Sequence, residues 1–439
     1  MADLDTNTGD ITIYDASRTE AVTLTTDGNK KRLDVSMATA DGPELDAFGR
    51  LRVSNPLTIF DSKQIFDNAP LFWDESLETG SGITSAHSVD EAASTFTSTL
   101  NTAGKFTRQT FMRFNYQPGK SQLILMTGIL DNSGGGTGVE RRIGYFDDDN
   151  GLFFEDDNSV VGVVRRTNVT GTPVDTRVAQ SSWNLDVMDG TGPSGVTVDW
   201  TKTQIFLIDF EWLGVGRVRL GLNINGMIFY VHQFLNANVL DKVFMSTPNL
   251  PLRYQMETTG SSPASTMVPI CSTVISEGDK QEIGSIRYFT TAETEINADT
   301  IGVLYVICGI RLKTTHLAAS IKLVNITLIN TVEDDFEWVM VLNPTIATPI
   351  TFANETNSAV QTGPGNAGAP STSTATGGTL LTGGLVKAAK GAGSVDAIVP
   401  NAILLGAAID GTRDEIYLCA RPFTANANIH GSLSWREIL

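Results

Sequence analysis

A chain of 439 residues with a formal net charge of −18 and 18% charged residues is long enough for two or three cores, yet carries no Lys/Arg-rich block. That excludes nucleic-acid binding through phosphate neutralisation, which needs a basic face. No apolar run reaches the ~18 residues of a membrane-spanning helix, and MADLDTNTGD has neither the basic nor the apolar region of a secretory leader. Cys271, Cys308 and Cys419 form no C-x-x-C pair and sit among apolar or small residues, so three buried free thiols and synthesis in a reducing cytoplasm are expected. So few charges in a soluble chain also point to surface covered by copies or partners.

Residues 1–57 hold short apolar doublets (ITIY, AVTL, LDVS, LRVS) separated by Thr, Asp, Gly and Lys. None buries much by itself, and the segment reads as an extended N-terminal arm that orders on assembly. At about 3.3 Å per residue it would reach roughly 190 Å.

Residues 58–288 are rich in strands and aromatics: LTIFDSKQIF, PLFWDES, TFMRFNYQ, SQLILMTGIL, RRIGYF, GLFFEDD, VVGVVRRT, TQIFLIDFEW, RVRLGLNI and MIFYVHQF. Turn chemistry separates them at Pro118-Gly119, Asp149-Asn150-Gly151, Asp189-Gly190 and Asn225-Gly226. Many short strands of this kind predict a β-sandwich of jelly-roll type. SVDEAASTF, from Ser88, is the one candidate for a short helix or a turn.

FEWLGVGRVRLGLNING, Phe210–Gly226, tests whether glycines mark a nucleotide loop. The third glycine of G-x-G-x-x-G falls on Arg219, and no Gly-Lys-Ser/Thr follows. Instead Val218, Leu220, Leu222 and Ile224 alternate with Arg217, Arg219, Gly221 and Asn223, and Asn225-Gly226 is a hairpin signal. With a first turn at Trp212–Gly216, Phe210 faces Val218, while Asp209 faces Arg219 and Glu211 faces Arg217 on a solvated face.

Residues 289–439 predict a second, C-terminal β domain, opening with TIGVLYVICGIRLK and AASIKLVNITLINTV and closing with DEIYLCARPF and GSLSWREIL. Within it, residues 357–393 are rich in Gly, Ser, Thr and Ala and read as a long mobile or partner-ordered loop. The fold class expected is all-β throughout.

LDAFGRLRVSNPLTIFDSKQ, NAPLFWDE, FNYQPGKSQLILMTG, GYFDDDNGLFFE, IFLIDFEWLGVGRVRLGLNING and MSTPNLPLRYQ together resemble a family of virion structural proteins of tailed bacteriophages. The likeness spans roughly residues 46–278. ARPFTANANIHGSLSWREIL is similar to the closing strands of phage appendage or capsid-surface β domains. The resemblance implies a particle component and transfers no catalytic residue.

Candidate chemistry is sparse. In FDDDNGLFFEDDNS, setting Gly151 at the glycine of a calcium loop puts Phe146 at the first ligand place and Asp157 at the last, so the pattern fails. An acidic hairpin turn is expected there, with Asp147, Asp149 and Glu155 as loose calcium candidates. Asp209 with Glu211, and Glu155 with Asp157, are same-face carboxylate pairs of the kind a retaining glycosidase uses; charge pairing with Arg217 and Arg219 explains the first without an enzyme. Among His87, His232, His316 and His430, His232 lies in a strand and reads as a hydrogen-bonded packing residue. Of the six tryptophans, Trp212 beside a glycine turn is the candidate for stacking on sugar. No G-x-S-x-G or H-E-x-x-H motif occurs.

The expectation is therefore a non-enzymatic virion component of the tail, baseplate or fibre, with no catalytic, cofactor-binding or metal-ligating residue. Its partners would be other virion proteins, copies of itself (a homotrimer, by analogy) and host surface glycan. A capsid decoration or head-fibre protein, and a polysaccharide-degrading tailspike-type enzyme, are the alternatives.

Overall fold

The computed structural model describes residues 45–130, 136–278, 284–332, 334–387, 405–424 and 427–438, with four short strands before residue 45. The chain divides into two compact units, Met1–Leu45 and Asp46–Leu439. In the first, Asp3–Leu4 pairs antiparallel with Ile11–Thr12, and Leu24–Asp27 with Lys30–Leu33. The expected arm otherwise falls largely outside the described residues.

The second unit is all-β and holds two sandwiches. The first stacks two antiparallel sheets in the jelly-roll manner. One runs Met227–Phe234, Val218–Ile224, Gln204–Phe210, Gln122–Ile129, Ser265–Ser276, Ala93–Ser98, Ile83–Ser88, with Leu57–Ser62 also on Ser265–Ser276. The other runs Val174–Ala179, Val160–Thr167, Gly151–Asp157, Val139–Phe146, Leu252–Thr258, Gly104–Thr110, Trp73–Gly80. Period-two alternation sends Ile124, Phe206, Phe210 and Leu220 from one sheet against Ile143, Tyr145, Phe154 and Met256 from the other. Phe154 meets Phe206 at 5.1 Å and Tyr145 meets Phe210 at 5.6 Å between ring centres.

Charges also lie in this core. Arg141 and Asp156 are ladder partners on the inner face, both fully buried and paired with each other. Arg108 pairs with Glu75, stacks 4.7 Å over the Trp73 ring and donates to the Asn68 carbonyl at 2.7 Å. TFMRFNYQ departs from expectation: the strand ends at Thr110, and Phe114 makes an isolated bridge to Leu250. SVDEAASTF is a turn leading into the strand Ala93–Ser98.

The second sandwich sets a six-stranded sheet against a four-stranded one. The six run Ala353–Asn354, Val360–Pro364, Tyr305–Leu312, Glu415–Pro422, Phe336–Leu342, Thr379–Val386. In the four, Ala427–Ile438 pairs with Ser285–Thr290 and Ile296–Ala298 along one edge and with Ser320–Asn330 along the other. Ile307, Leu418, Trp338, Leu433 and Trp435 are among the residues that fill the space between.

Two expectations are corrected here. Ser285–Thr290 crosses the boundary expected at residue 288 and belongs wholly to the second sandwich, because its partner is Ala427–Ile438. The segment 357–393 is not one long loop: Val360–Pro364 and Thr379–Val386 are ladder strands; residues 388–393 lie outside the described residues. Its glycines allow close packing. A Cβ on Gly384 would stand 2.8 Å from the Trp338 indole nitrogen, and one on Gly363 would stand 2.3 Å from the Thr351 carbonyl.

Candidate functional site

Two places gather polar side chains with a defined geometry. The first is a clamp on the outer face of the first sandwich, built on the meander read from the sequence. Phe210 stands opposite Val218 and Asp209 opposite Arg219, and Asn225 (φ 54°) and Gly226 (φ 83°) make the hairpin. Asp209 and Arg219 are fully buried, however, so the face expected to be solvated is covered.

The cover is the segment Asp46–Pro56. Arg52 reaches down so that one Nη lies 2.5 Å from Asp209 Oδ2 and the other pairs with Glu277. The same Oδ2 accepts from Arg219 at 2.5 Å and from the Tyr230 hydroxyl at 2.9 Å, and Oδ1 accepts from Ser121 Oγ at 2.6 Å. Arg219 lies 4.0 Å over the Tyr230 ring. Arg217 donates to the Ala47 carbonyl at 3.0 Å, and Asp46 pairs with Arg50 at 2.7 Å. One buried carboxylate thus receives two guanidiniums and two hydroxyls, the full pairing a charge needs away from water. Burial works against the charge on Arg52, but Asp209, Tyr230 and Glu277 hold it protonated above the usual arginine value. Burial pushes the Glu277 carboxyl up despite Arg52 beside it.

The second place is a groove of about 700 Å³ where the sandwiches meet. The chain from Leu405 to Asp414 reaches across to the first sandwich. Ala407 N–H donates to the Phe111 carbonyl at 3.2 Å, and Ile409 N–H donates to Asp74 Oδ2 at 2.8 Å. Arg311, Arg413, Thr314, Thr412, Asn343 and Phe111 line the groove. Arg311 Nε and Arg413 Nη1 each lie 2.9 Å from Gln361 Oε1, so the two cations stand side by side.

The acidic run from Phe146 is a hairpin turn between Val139–Phe146 and Gly151–Asp157, beside this junction. Asp147 Oδ1 accepts from the N–H groups of Asp149 (2.9 Å) and Asn150 (2.8 Å), and Oδ2 takes Arg113 at 2.5 Å. Arg253 and Lys105, acting against burial, bring the Asp148 carboxyl down to about 2. Burial, with Asp147 and Asp148 beside it, pushes the Asp149 carboxyl up. Glu155 is held apart from the turn by Arg142 (2.8 Å) and Arg177 (2.6 Å). Among the described residues no group of three His, Cys, Asp or Glu side chains is arranged around a metal site.

The other candidates are placed as follows. Glu211 accepts from the Arg217 N–H at 2.9 Å, and burial pushes its carboxyl up. Asp157 accepts from the Asn158 side chain. His232 is buried and its Nδ1 accepts from Asn184 N–H at 3.2 Å. Trp212 packs edge-on to Tyr116 and donates to the Met245 carbonyl at 3.1 Å, so it is a packing residue. Cys308 and Cys419 are buried; Cys271 is half-buried, contrary to expectation. Arg52, Ser121, Tyr230 and Glu277 were not singled out from sequence, nor were Arg311 and Arg413. The signal for the first lay in FGRLRVS, whose arginines alternate as strand-facing cations do.

No family model and no curated protein matches the sequence. Among solved structures, the chain is similar to the carbohydrate recognition domain of Emp47p at 10% identity and a TM-score of 0.32, over 50% of this chain and 96% of that one. It is similar to an endo-1,3-β-glucanase from Streptomyces sioyaensis at 11% identity and a TM-score of 0.32, over 51% and 97% of the two chains. A CBM2 module of the evolved Dit protein of Lactobacillus casei BL23 phage J-1 matches at 8% identity and a TM-score of 0.32, over 52% and 99%. Likeness at this level assigns no activity, ligand or partner to this chain; the all-β assignment stands on the strand pairings themselves.

Proposed function

We propose that this chain is a non-enzymatic structural component of a bacteriophage particle, assembled in the host cytoplasm and mounted in the tail, baseplate or fibre apparatus as a homo-oligomer. Three-fold closure is the symmetry we favour. The observation that carries the reading is where the family resemblance falls. LDAFGRLRVSNP is the strap, and IFLIDFEWLGVGRVRLGLNING is the ladder that holds it through Asp209, Arg217 and Arg219. We read the shared wording as marking a mounting device. The carboxylate pairs support the same reading: Asp209 and Glu155 are engaged by arginines, and Glu211 by a backbone donor.

The test is assembly of particles with a chain lacking residues 1–44, a cut that spares the strap. The truncated protein is expected to fold with an unchanged melting temperature and to be missing from purified particles. Undiminished incorporation refutes the mounting role. A copy number in the hundreds per particle would move the protein to the capsid surface. Cleavage of host polysaccharide that vanishes in Glu211→Gln would overturn the non-enzymatic reading.

A further inference from the structure

We propose that the groove between the sandwiches binds an anionic glycan, with Arg413 as the cation that receives its carboxylate or phosphodiester. The inference is independent of where the protein is mounted. Arg311 and Arg413 look alike in sequence but not in the fold. Arg311 Nη1 pairs with Glu415 at 2.6 Å, its guanidinium lies 4.1 Å over the Phe352 ring, and the second oxygen of Glu415 takes the Tyr417 hydroxyl. Its charge is matched.

Arg413 donates only to neutral oxygens, the Leu312 carbonyl and Gln361 Oε1, both at 2.9 Å. Among the described residues it makes no ion pair. Three carboxylates share the groove lining, each engaged within the fold: Glu415 with Arg311, Asp414 with Asn343 Nδ2 at 2.8 Å and Gly406 N–H at 3.1 Å, and Asp410 with Thr412 N–H at 2.8 Å. Partial burial and the adjacent Arg311 outweigh the attraction of Glu415 and lower the hold of Arg413 on its proton, which an incoming anion would reverse. Among the described residues, Arg413 is thus a cation of the groove lining that closes no ion pair.

The rest of the lining selects the class of anion. Thr314 offers a hydroxyl and Phe111 a ring, groups that pair with a sugar hydroxyl and pack on the C–H face of a sugar. The volume falls within the ~300–1,000 Å³ of small-ligand sites, where a flat protein interface would not need a groove. Guanidinium recognises carboxylate and phosphate oxygens through paired N–H donors, so both kinds of acidic glycan share the chemistry.

The experiment is calorimetric titration of the purified full chain with four probes: oligogalacturonate, poly(glycerol phosphate), neutral maltohexaose and poly-glutamate. At least one of the first two is expected to bind and to weaken with added salt, with no binding of maltohexaose or poly-glutamate. Arg413→Gln should weaken that binding about tenfold or more, matching the loss of one charge-assisted pair. Glu415→Gln should strengthen it, because it frees the charge on Arg311. Melting curves of both variants check folding. Binding unchanged by Arg413→Gln, failure of both anionic glycans, or equal binding of poly-glutamate or maltohexaose overturns the proposal.

Discussion

Arg52 and Asp209, 157 residues apart in sequence, meet at 2.5 Å on the covered face of the first sandwich. The contact joins the strap to a carboxylate already paired with Arg219. Arg52→Gln is expected to lower stability by about 1.5–3 kcal/mol, the range for a hydrogen bond to a charged group. Asp209→Asn should cost more, about 3–5 kcal/mol, since it removes the buried anion that two guanidiniums share. Urea midpoints at constant slope measure both, and a loss below ~0.5 kcal/mol for Asp209→Asn, as at an ordinary surface site, would contradict the clamp.

Arg141 and Asp156 form an ion pair wholly inside the sandwich. Removing one partner breaks a buried pair: Arg141→Met or Asp156→Leu alone should each cost about 3–5 kcal/mol. The double substitution should recover most of that loss, because two apolar side chains need no partner. A double-mutant cycle by denaturant unfolding gives the coupling, and additive single effects would show that the pair does not act as one.

Burial pushes His232 down to about 4, below the ordinary 6.5. Between those values the unfolded chain takes up a proton that the folded chain refuses, so stability falls as pH drops from 6.5 to about 4. The bond from Asn184 N–H to Nδ1 is made by the neutral ring. Melting temperatures across this window should fall less steeply in His232→Gln than in the parent. Equal slopes would mean that another group carries the titration.

Cys271 is half-buried, whereas Cys308 and Cys419 are sealed in the second sandwich, where burial raises both thiols far above the usual range. A thiol reagent at neutral pH is expected to label one cysteine in the folded protein and three after unfolding, since the thiolate is the reactive form. Labelling of Cys308 or Cys419 at the rate of Cys271 would show that the second sandwich opens readily.

The meander around Asn225-Gly226 was legible because alternation and a positive-φ turn fix register locally: Phe210 does face Val218, and Asp209 does face Arg219. The face was misread because alternation separates two sides of a strand but does not say which side another segment will cover. Only Arg52, far away in sequence, turns that polar row into an interior. The segment 357–393 was misread for the opposite reason. Its glycines look like loop composition, yet Gly363 and Gly384 sit in ladders where a side chain would strike Thr351 or Trp338. The groove was not legible at all, since Arg311, Gln361 and Arg413 come together only when the sandwiches are complete.

Each sandwich receives an inner strand last. Ser265–Ser276 completes the first, and Ala427–Ile438 completes the second, pairing Ser432 with Thr327 from 105 residues earlier. A nascent chain can therefore finish the first sandwich while the ribosome is still translating the second. The second must wait, with Ile307, Leu418 and their neighbours uncovered, until its final strand emerges. Stalled translation beyond Ser276 should thus leave one folded domain trailing a sticky, chaperone-dependent tail.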